Sequence, residues 1–78
     1  MATFVALLRG INVGKAKRIQ MADLKALMVS HGFTNVTTLL NSGNVVFQAT
    51  QDSTTALARA IANAIAGELK MEVPVIVK

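Results

Sequence analysis

The stretch Thr3–Arg18, TFVALLRGINVGKAKR, constrains this chain more than any other. Thr3 to Gly10 is apolar nearly throughout, which is the pattern of a central, buried strand. Gly10 and Gly14 then break the run, and a basic loop carries on to about Gln20. A buried strand needs neighbours and cover, and the remaining residues read as that support: two amphipathic helices, a hairpin and one last strand.

The spacing predicts a first helix over Met21 to His31. Met21, Leu24, Leu27, Met28 and His31 recur at three- and four-residue intervals and form one apolar stripe. Gly32 suits the C′ position of a Schellman-type end, with Phe33 next to it able to pack back on Met28. Val36 to Asn41 and Asn44 to Ala49 are strand-like runs joined by Ser42-Gly43, a hairpin signal. A two-residue turn would set Asn41 opposite Asn44, Leu39 opposite Val46 and Thr38 opposite Phe47. A bulged three-residue loop would shift that register. Asp52 or Ser53 can cap a second helix running to about Lys70, with Leu57, Ile61, Ile65 and Leu69 on its inner face. Val73 to Val77 reads as a closing strand, and Pro74 suits a sheet edge.

The predicted order is βαββαβ. Right-handed crossovers turn that order into an α+β, ferredoxin-like fold: a four-stranded antiparallel sheet, strands one and three central, both helices on one face. With 78 residues there is room for one domain, spanning 1–78, and one small core. Strand parity sends Phe4, Ala6, Leu8, Val45 and Phe47 towards the helices. Val5, Leu7, Leu39 and Val46 are left on the opposite face as an apolar patch, the mark of an interface. A second copy of the chain or a second half is the expected cover.

Charge singles out one region. Arg9, Lys15, Lys17, Arg18 and Lys25 against Asp23 leave +4 within the first 25 residues, while three cations and three acids cancel in the rest. The entire excess lies in or beside the glycine loop. Backbone amides near Gly10 and Gly14 could form a nest, with Lys15, Lys17 and Arg18 adding charge beside a helix start. Arg9, Gly10, Asn12, Gly14, Lys15, Lys17 and Arg18 are therefore the candidate ligand-binding residues, for a phosphate-bearing ligand such as a nucleotide or nucleic acid. Asn12, between the glycines, either closes its own turn or presents an amide to that ligand. The competing description is a solvated loop whose glycines serve only its turns.

Other chemistries find less support. Gly10-Ile11-Asn12-Val13-Gly14-Lys15-Ala16 has three residues between its glycines and Ala after the Lys, where a nucleoside-triphosphate loop needs four and Ser or Thr. Base stacking by a same-topology RNA-binding sheet needs aromatics on the open face, whereas parity turns Phe47 and Phe4 inwards. His31, the only histidine, sits at a helix end and reads as structural. Ser42 reads as turn chemistry, and Asp23, Asp52, Glu68 and Glu72 form no acid–base pair. No catalytic residue, metal site or cofactor is expected, and no activity of this chain alone. The chain has no cysteine, which fits a cytoplasmic protein. Phe4 to Leu8 is too short for a signal peptide or membrane helix.

Three motifs carry a family resemblance: Leu7-Leu8-Arg9-Gly10-Ile11-Asn12-Val13-Gly14, Met21-Ala22-Asp23-Leu24 and Asn41-Ser42-Gly43-Asn44-Val45-Val46-Phe47. Together they resemble the bacterial family called domain of unknown function 1697, over the whole chain. The resemblance implies a ferredoxin-like N-terminal half that packs against a second half. It implies no particular activity.

Overall fold

The computed structural model of the protein describes residues 2–11, 18–39, 43–50 and 53–78, with the backbone alone for Leu39. In chain order the elements are β1 (Ala2–Leu8), α1 (Met21–Ser30), β2 (Thr34–Leu39), β3 (Asn44–Ala49), α2 (Thr54–Glu68) and β4 (Val75–Val77). All pairings are antiparallel and the sheet order is β2-β3-β1-β4, so strands one and three are central as expected.

Local chemistry accounts for the element ends. In α1 the N–H of Gly32 donates to the Val29 carbonyl and that of Phe33 to the Met28 carbonyl, at 3.1 and 3.2 Å. This is the Schellman pattern, made possible by Gly32 at φ +92°. Phe33 then sets its ring edge-on to Phe47, centroids 5.0 Å apart. At the start of α2 the Ser53 hydroxyl accepts the Ala56 N–H at 3.1 Å, which identifies Ser53 as the cap. The alternative cap, Asp52, lies outside the described residues.

Several element ends differ from the sequence reading. Helix α2 stops at Glu68, two residues before Lys70, because the chain turns left-handed at Lys70 (φ +59°). Strand β4 begins at Val75 rather than Val73, since Pro74 has no N–H for the ladder. The hairpin register is corrected by two residues: Leu39, not Asn41, pairs with Asn44, and Thr37, not Leu39, pairs with Val46. The last pair is therefore Leu39 with Asn44, and Ser42 of the expected turn lies outside the described residues. Strand β2 also starts earlier, at Thr34, and reaches its register through a bulge between Thr34 and Thr37, where Asn35 takes φ +50°.

The face assignment survives because the shift is even, and side chains alternate with period two. Phe4, Ala6, Leu8, Val45, Phe47 and Ala49 are buried, as are Leu24, Leu27 and Met28 of α1 and Leu57, Ile61, Ala64 and Ile65 of α2. Phe4 lies opposite Phe47 with ring centroids 5.8 Å apart. Among the described residues no polar or charged side chain is buried, so the interior between helices and sheet is apolar.

Candidate ligand loop and open sheet face

The basic loop leaves the sheet at the C-terminal end of β1, between two backbone clamps. The Leu8 N–H donates to the Gly43 carbonyl at 2.9 Å, and the Arg9 N–H donates to the Pro74 carbonyl at 3.0 Å. Gly43 has φ +85°, and a Cβ there would lie 2.6 Å from the Leu8 carbonyl oxygen and 3.1 Å from Ile11 Cδ1. Only glycine fits this approach. Beyond the clamps Ile11 is buried, and Ile19, where the chain returns, is buried too. Both ends of the loop are thus fastened into the core.

Of the sequence-predicted ligand residues, Arg9, Gly10 and Arg18 are exposed at the two ends of that loop. Gly10 adopts φ +75° with open space around it, so the glycine serves the backbone turn and no packing constraint. Asn12, Gly14, Lys15 and Lys17 lie outside the described residues. The N-cap of α1 is Gln20, whose side chain makes no capping bond, and Asp23 in the first turn complements the helix dipole.

The second candidate surface is the sheet face away from the helices. Val5, Leu7 and Val46 are each partly exposed there, and Ile76, which pairs with Leu7, retains 38% of its accessible surface. By register the same face holds Thr3, Thr37, Leu39, Asn44 and Gln48, with Arg9 and Lys78 at its ends. No register position on it is acidic. Gln48 ties the far end together: its amide donates to Thr3 Oγ1 at 3.3 Å and accepts from the Asn35 side chain.

The sequence reading also missed a polar contact between the two helix ends. His31, the C-cap of α1, meets Glu68 at the end of α2 through Nε2 and Oε2, across 37 residues of chain. Nothing in local spacing signals a pair so far apart. Phe4 and Phe47 are buried beneath the helices, so neither serves as a stacking platform. Among the described residues no cluster of three or more His, Asp or Glu side chains could hold a metal ion. No helix among them is long and apolar enough to cross a membrane.

Sheet order and helix placement define an α+β domain of ferredoxin-like topology. The sequence matches the family described as Protein of unknown function (DUF1697) over residues 1–78, and the chain belongs to that family. A solved structure of similar fold is that of the conserved bacterial protein SP0830 from Streptococcus pneumoniae, with TM-score 0.78 and 27% identity. The similarity covers 96% of this chain and 42% of that one, so the chain spans less than half the length of its structural relative. No curated protein matches the sequence.

Proposed function

We propose that this protein is a non-catalytic binding module that takes phosphate-bearing ligands, nucleotide or nucleic acid, at the loop from Arg9 to Arg18. The observation that carries this reading is the concentration of the whole net charge of +4 in the first 25 residues. The clamps at Leu8 and Arg9 and the buried Ile11 and Ile19 support it, because a loop with fixed ends loses less entropy on binding an anion. Arg9 and Arg18 flank the loop as fork-shaped donors suited to phosphate oxygens.

The test is equilibrium binding at low salt, with inorganic phosphate, a nucleoside triphosphate and a short single-stranded DNA as probes. Binding of at least one probe is expected, and combined replacement of Lys15, Lys17 and Arg18 by Ala should abolish it. For the DNA, log K should fall with log salt by roughly 0.7 per phosphate neutralised. Failure of all three probes to bind the unmutated protein refutes the reading.

A second reading has its own observation, the uncovered Val5, Leu7, Val46 and Ile76. On it the chain is an assembly unit whose open sheet face packs against a second half or a second copy. A Leu7→Lys substitution that leaves assembly of the longer protein intact would exclude this role.

A further inference from the structure

We draw no further inference here: the strongest candidate, the groove of about 370 Å³ between α2 and the approach to β4, is lined by small apolar side chains and the exposed Asn63 and Glu72, and nothing in the structure shows what covers it.

Discussion

Gly43→Ala is the sharpest test of how the β2–β3 connection fixes the root of the basic loop. At φ +85° an L-residue costs about 1–2 kcal/mol from conformation alone. The new Cβ would also stand 2.6 Å from the Leu8 carbonyl oxygen, a backbone atom that cannot move aside without its strand. Relief of that clash stretches the 2.9 Å bond from the Leu8 N–H to the Gly43 carbonyl, a loss of about 0.5–1.5 kcal/mol. With pressure on the Ile11 side chain added, the whole effect is about 2–4 kcal/mol. For 78 residues total stability is expected at about 4–12 kcal/mol, so this is a large fraction.

Gly10→Ala is the matched control. Gly10 has nearly the same φ, +75°, but nothing lies within 4 Å of its added Cβ. It should lose only the conformational part, about 1–2 kcal/mol. Urea unfolding followed by circular dichroism gives both values, provided the m-value is unchanged between variants. If Gly43→Ala costs no more than Gly10→Ala, the clamp at Leu8 does not hold the loop and the reasoning fails.

Other substitutions follow from the same contacts. Phe47→Ala removes the ring that both Phe4 and Phe33 touch and should cost about 3–5 kcal/mol in the same urea assay. Ser53→Ala, which removes the cap bond to Ala56, should cost about 1 kcal/mol, with fraying of α2 visible in amide exchange at its first turn. His31→Ala breaks a pair whose members are 44% and 51% exposed, and thermal unfolding should register at most about 1 kcal/mol.

What was legible in the sequence was whatever repeats. The alternation Phe4-Ala6-Leu8 and Val45-Phe47-Ala49 identified the covered face, because period two is imposed by the strand itself. The Schellman end at Gly32 was legible, and the cap of α2 was narrowed to Asp52 or Ser53, because each is a short-range bond with a residue signature. The hairpin register was not, since Ser42-Gly43 fits several loop lengths and the bulge near Asn35 leaves no mark in composition. His31–Glu68 was invisible for another reason, as the contact exists only once both helices are docked. For the candidate site, the charge cluster and Gly10 could be read directly. The clamps at Gly43 and Pro74 depend on three strands meeting at one end of the sheet.

Those clamps allow binding and folding to be separated by experiment. Ile11 and Ile19 are buried at 4% exposure each, and truncating either to Ala should cost about 2–5 kcal/mol. Arg9 and Arg18 are exposed beside them, and replacing both by Ala should change stability by no more than about 0.5 kcal/mol. The arginine variant should therefore unfold at the urea concentration of the parent yet bind phosphate-bearing probes more weakly and with a shallower salt dependence. Loss of binding with stability intact would locate the anion chemistry in the loop. Equal loss of stability in the arginine variant would mean that these side chains brace the sheet end, and the loop reading would fall with it.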